Sequence, residues 1–254
     1  VTAHHVDHGL RNGSADEATI VEALADRCGA GFVAHTATIE PGANLEARAR
    51  AARFSLLPAA VATGHTLDDR AETVLINLLR GAARTGLSPL RPSYRHPIVG
   101  LRRAETEQLC ETLELAVVHD PSNADPSFVR NRVRHELLPL LDDISGRDVA
   151  SLLDRQADLL ADEDELLDAL AAELDPTDAK ALAAAPPALA RRAVRRFIMN
   201  EWPRAHPPSV DSVDRVLAVA RGTATACEIE GGHRVHRTQQ RLRLEPFPGS
   251  VTSS

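Results

Sequence analysis

Cysteine is scarce in this chain of 254 residues, and the three present, Cys28, Cys110 and Cys227, are far apart and lack metal-ligand spacing. That excludes a disulfide scaffold and predicts reduced thiols in the cytoplasm. No window is long and apolar enough to span a membrane, and no secretory pattern opens the chain. Lysine is nearly missing: of 29 basic residues only Lys180 is one, and the others are arginines. A guanidinium suits phosphate because its planar fork donates two parallel hydrogen bonds, although coding composition alone would produce the same bias. There is no internal repeat and no low-complexity tract beyond alanine richness. An initiating Met is also absent, and the opening "VTAHHVDHGLR" reads as a strand in the middle of a fold.

What is present is a soluble, globular composition, 43% hydrophobic and 26% charged, with the length of two domains or one large one. The net charge of -7 speaks against a nucleic-acid binder, but the charge is segregated. Residues 151–185 carry ten acids against two bases, the pattern of a solvated face on a long connecting helix. Further on, Arg191, Arg192, Arg195 and Arg196 recur along one side of a helix.

The expected elements begin with the opening strand and a helix capped by Ser14 and Glu17. A strand in "GFVAHTATIE", a helix from an Asn44 cap and a third strand at Ala60–His65 follow. Strands alternating with helices indicate βαβ units and a parallel sheet, so the fold class is α/β. An Arg- and Pro-rich loop (residues 86–97), a helix over "IVGLRRAETEQLCETLEL", a short strand in "AVVHD" and an arginine-dense helix complete a first domain, 1–145. A second, 146–250, holds the linker helix and a small, mainly helical region ending in a Gly-Gly β-hairpin.

Three clusters carry chemistry. In "GHTLDDRAET", His65, Asp68, Asp69 and Glu72 stand at i, i+3, i+4 and i+7, on one face of a helix. Acids in a first turn also suit the helix dipole. A histidine with paired carboxylates additionally fits a Mg²⁺ site at Asp68 and Asp69, or a base that deprotonates an amine. In "DPSNADPSFVRNRVRHELLP", Arg130, Arg132 and Arg134 form a phosphate clamp or a solvated basic face. Alternate arginines cannot share one face, so at most two point into a site. In "HHVDHGLR", His4 and His8 point one way and His5 and Asp7 the other, which favours a nucleotide-contacting strand end over a single metal.

Together these stretches resemble the tRNA(Ile)-lysidine synthases of the N-type ATP pyrophosphatase (PP-loop) superfamily. The resemblance covers most of residues 1–140, and H-x-x-D-D-x-x-E-T is its most specific part. It implies an adenine-nucleotide alpha hydrolase-like fold and a cytoplasmic ligase that uses ATP and Mg²⁺. The wobble cytidine (position 34) of a CAU-anticodon tRNA(Ile) is adenylated at C2, releasing pyrophosphate, and free L-lysine then displaces AMP. The expected catalytic residues are His65, Asp68, Asp69, Arg130 and Arg134. His8, Arg11 and Glu72 are expected on the nucleotide side, with Glu72 orienting the others. Arg132, Arg191, Arg195, Arg234 and Arg237 are expected to face tRNA, and a homodimer is compatible with the sequence. The family's S-G-G-x-D-S pyrophosphate loop does not occur, and the expectation is that it precedes the residues given. Two alternatives stand beside this reading: a non-catalytic tRNA-binding remnant, and a metal-dependent hydrolase using His65, Asp68 and Asp69.

Overall fold

The computed structural model describes residues 1–7, 9, 14–38, 45–82, 84–118, 120–202 and 207–246, excluding the side chains of 14–16, 45–47, 84 and 85. The caps expected at Ser14 and Asn44 lie outside the described side chains. Two compact units are present, Val1–Asp158 and Leu159–Ser254.

In the first unit, β1 (Thr2–Asp7) and β2 (Gly31–Thr36) pair in parallel, with Thr2 opposite Gly31 and Asp7 opposite Thr36. The crossover between them is α1 (Ser14–Arg27), the connection that parallel strands require. After α2 (Leu45–Leu56) the strand expected at Ala60–His65 does not form a ladder. Its backbone is tied instead to a loop, since the Thr63 N–H donates to the Arg95 carbonyl at 2.8 Å. The short strand expected in "AVVHD" is likewise absent over Leu115–Val118.

Helix α3 (Leu67–Leu79) begins with a full capping box. Thr66 accepts from the Asp69 N–H, and the Asp69 carboxylate accepts from the Thr66 N–H. His65 therefore stands just ahead of the helix rather than on it. Leu67, Ala71 and Leu75 of α3 are buried against Val133, Leu138 and Ala150. Those partners come from later helices: α4 (Arg103–Thr112) is followed by α5 (Val129–Arg132), a π turn (Val133–Leu137), α6 (Leu138–Ser145) and α7 (Val149–Ala172). This apolar stacking sets the arginine-bearing α5 and π turn beside the acidic start of α3.

The division between the two compact units falls after Asp158, inside α7. Across the start of α7, Arg70, 1% exposed, pairs with Asp154 at 2.7 Å and Asp158 at 2.6 Å. Its Nε also donates to the Pro89 carbonyl at 3.0 Å, so the start of α7 belongs with α3.

The second unit packs α8 (Ala179–Ala184), α9 (Pro187–Glu201) and α10 (Val210–Arg221) on an antiparallel sheet. The expected hairpin is its β3 (Ala226–Ile229) and β4 (His233–Thr238), and β5 (Arg241–Pro246) adds a third strand. The turn at Gly231 has φ +81°, and a Cβ there would meet Trp202 at 1.9 Å, so only glycine fits. Among the described residues no helix is long and apolar enough to cross a membrane.

Candidate active site

The structure brings the acidic start of α3 together with four arginines from two directions. Glu72 is fully buried, and its carboxylate accepts from Arg130 Nε at 2.7 Å and Arg134 Nε at 2.6 Å. A buried carboxylate is costly unless paired and hydrogen-bonded, and here two guanidiniums supply that pairing. Glu72, expected on the nucleotide side with a role in orienting the others, is buried and paired with both arginines. Arg130 and Arg134, one turn apart, both face it. Arg132 turns away to Glu136, at 2.9 Å on the exposed side.

Asp69 is shared more widely. Its Oδ2 accepts from the Thr66 N–H at 2.8 Å and the Thr66 hydroxyl at 3.0 Å. Its Oδ1 lies 2.8 Å from Arg103, 3.3 Å from Arg130 and 3.5 Å from Arg134. Burial opposes its charge, but the Thr66 N–H and the guanidiniums of Arg103 and Arg130 outweigh this and hold the carboxyl below its usual range. Asp68 serves a different helix: its Oδ2 accepts from the Arg103 N–H at 2.6 Å, the first N–H of α4, while Oδ1 pairs with Arg102 at 3.0 Å.

Arg102 and Arg103 are the participants that sequence reasoning missed. They arrive because the Leu67 N–H donates to the Leu101 carbonyl at 2.9 Å, laying this segment beside the cap of α3. A signal was available, since two cations at a helix start oppose the dipole unless a carboxylate answers them. Asp69 and Glu72 carry two negative charges against the three positive charges of Arg103, Arg130 and Arg134, leaving +1. These arginines remain 21–28% exposed, open enough to meet an anion.

The expected Mg²⁺ does not fit at Asp68 and Asp69, because each carboxylate oxygen already accepts from an arginine or a backbone N–H. Among the described residues, no three His, Cys, Asp or Glu side chains are grouped to hold a metal. His65 is half-buried. Desolvation lowers its pKa below 6.5, with Asp69 opposing that shift and Arg50, His96 and Arg130 reinforcing it. Its Nδ1 lies 2.6 Å from Thr63 Oγ1, and Nε2 has no hydrogen bond to a described residue. His8 and Arg11 lie outside the described residues.

With this geometry in place, similarity to known proteins decides the family. Residues 1–141 match the PP-loop domain family. A tRNA(Ile)-lysidine synthase of Nocardia farcinica is 40% identical, the match covering 96% of this chain and 80% of that protein. The chain belongs to the tRNA(Ile)-lysidine synthase family. Synthases of this name from Mycobacterium leprae (36% identical, 99% of this chain, 82% of that protein) and Rhodococcus opacus (39%, 85% and 72%) match it similarly. Among solved structures, a U34-tRNA thiolase of Methanococcus maripaludis aligns over 63% of this chain and 62% of its own, at 21% identity and TM-score 0.46.

The residues expected to meet tRNA are mostly engaged within their own unit. Arg191 grips Asp214 with two bonds, at 2.8 and 3.1 Å. Arg237, partly exposed, donates to the Ala220 carbonyl at 3.0 Å at the end of α10. Arg195 has no ion pair to a described residue. Arg234 is exposed on β4 between Glu228 of β3 and Glu245 of β5. It also lines an open groove of about 600 Å³ with Arg215.

Proposed function

We propose that this chain ligates lysine to C2 of the wobble cytidine of a CAU-anticodon tRNA(Ile) in the cytoplasm, through an adenylated cytidine. ATP use accompanies membership of the PP-loop family. The observation that carries the reading is the net-positive cluster of Arg103, Arg130 and Arg134 around Glu72, beside a neutral His65. In the first step, the C2 oxygen attacks the α-phosphate of ATP and pyrophosphate leaves. Fixed guanidiniums stabilise the charge that develops there, without having to reorganise. In the second step, the lysine ε-amine, once deprotonated, attacks C2, and the C2–O bond breaks with AMP leaving.

His65 is the better base for that amine. Asp69 is held ionised at low pH and its oxygens are occupied, so it is a weak proton acceptor. Asp69 and Glu72 instead keep the arginines aimed. Asp68 fixes the start of α4 and thereby Arg103. A hydrolase using His65, Asp68 and Asp69 around a metal is not supported, because those carboxylates are already paired. The intact cluster also disfavours a non-catalytic remnant.

The test is ATP–pyrophosphate exchange. Exchange that requires CAU-anticodon tRNA(Ile), and is lost with other RNAs, is the expected result. Exchange indifferent to RNA, or hydrolysis of ATP without it, would contradict the reading.

A further inference from the structure

Thr63 precedes His65 by two residues, on the segment that fails to become a strand. Its hydroxyl lies 2.6 Å from Nδ1 of His65 and 3.0 Å from Nδ1 of His96, and its third neighbour is the Arg95 carbonyl at 3.3 Å. The two imidazoles meet edge to face with centroids 5.3 Å apart. One hydroxyl thus bridges two histidines through the same type of ring nitrogen.

A threonine hydroxyl has one proton to donate and lone pairs to accept. For His65 to act as a base through Nε2, its neutral ring must carry the proton on Nδ1 and donate it to Thr63. The Thr63 hydroxyl is then free to donate to His96 Nδ1, at a shorter distance than to the Arg95 carbonyl. His96 in turn carries its proton on Nε2, which has no hydrogen bond to a described residue.

We infer that His65, Thr63 and His96 form a proton relay that drains the proton of the attacking lysine ammonium away from the site. This rests on the ligase reading above. The balance is one proton in and one out. The ammonium gives a proton to His65 Nε2, and the Nδ1 proton passes to Thr63 Oγ1. The Thr63 proton passes to His96 Nδ1, and the Nε2 proton of His96 leaves to water. The freed amine then forms the C2–N bond while the C2–O bond breaks toward AMP. Thr63 and His96 are positioning and relay residues, acting through His65.

The surroundings suit a relay of neutral rings. The charges facing the two histidines are Asp69 on α3, Arg50 on α2, Arg130 on α5 and Arg95 beside His96. One carboxylate stands against three guanidiniums, and burial adds to them, so neither ring holds a second proton and both stay neutral. A single buried base would keep the proton beside an incoming cation; a relay removes it.

Two measurements test this. Long-range ¹⁵N–¹H NMR of the full protein reads the tautomers directly. The expected result is Nδ1–H on His65 and Nε2–H on His96. Nδ1–H on both rings would overturn the relay, since the hydroxyl would then be pointing at Arg95. Separately, lysine attack on adenylated tRNA is followed in a single turnover. Thr63→Val should slow it about tenfold with the KM for lysine unchanged, and Thr63→Ser should restore it. His96→Gly should slow it and be rescued by added imidazole. A Thr63→Val rate equal to wild type, or no rescue by imidazole, would overturn the inference. Absence of tRNA-dependent pyrophosphate exchange in the wild type would overturn the ligase reading instead, and the tautomers would still decide the hydrogen-bond chain.

Discussion

At the scale of single residues, the site is an arrangement of opposed charges in which each acid has a separate task. Asp69 completes a capping box and faces three guanidiniums, so Asp69→Asn keeps an acceptor for Thr66 but releases the arginines. We expect lysidine formation to fall by about a hundredfold or more while the circular dichroism spectrum stays native; near-normal turnover would contradict the assignment. His65 makes a pH prediction. Its folded-state pKa is lowered, chiefly by burial, so the unfolded chain takes up a proton first as pH falls below 6.5. The stability linked to the neutral ring is present above 6.5 and is lost as pH falls through the folded value. Loss of the base follows the same direction, so kcat/KM should hold steady near pH 7 and fall on an acid limb below 6.5. His65→Gln should remove that limb along with most of the rate.

At the scale of elements, α3 is fastened on two sides. Its front carries Asp69 and Glu72, and its back carries Arg70, buried against Asp154 and Asp158 of α7. Replacing both partners, Asp154→Asn with Asp158→Asn, leaves a buried guanidinium without a counter-charge. The expected cost is about 3 kcal/mol, at the lower end for a broken buried pair because Asp158 is half exposed. Urea unfolding of the double variant checks this, and an unchanged midpoint would show that the pair does not hold α7. Much of this level was legible in the residues. The alternation of strands and helices and the opposed facing of Arg130 and Arg132 follow from local periodicity, whereas the Thr66 cap that sets His65 ahead of α3 did not show in the spacing. The third strand was not legible, because "AVATGH" has the composition of a strand but forms no ladder, and its Thr63 bonds to Arg95. Arg102 and Arg103 were missed for a related reason. They reach the site through long-range contacts, the Leu67–Leu101 hydrogen bond and the bonds of Asp68 and Asp69, which sequence spacing does not encode.

At the scale of the whole molecule, a chain of net charge -7 must bind a polyanion through local patches. Several of the arginines are paired within the second unit: Arg191 with Asp214, Arg192 with Asp164 and Asp168, and Arg241 with Asp175. Each pairing joins residues far apart in sequence, which is why the stripe on α9 read as more basic than it is. Among the described residues, Arg195 has no ion pair, and Arg234 is exposed on β4 beside the open groove. Arg195→Ala and Arg234→Ala should each lower the slope of log K against log salt by about 1. Arg237→Ala should reduce thermal stability and leave the slope alone. Equal slopes for all three variants would relocate the tRNA surface.

The central claim is that the cluster around Glu72 and His65 joins a lysine amine to a cytidine. The most direct measurement is the mass of the nucleoside at position 34 after incubating the full protein with ATP, lysine and CAU-anticodon tRNA(Ile). The account predicts a cytidine heavier by one lysine joined with loss of water, formed only when ATP and lysine are both present. Recovery of unmodified cytidine while ATP is consumed would contradict it.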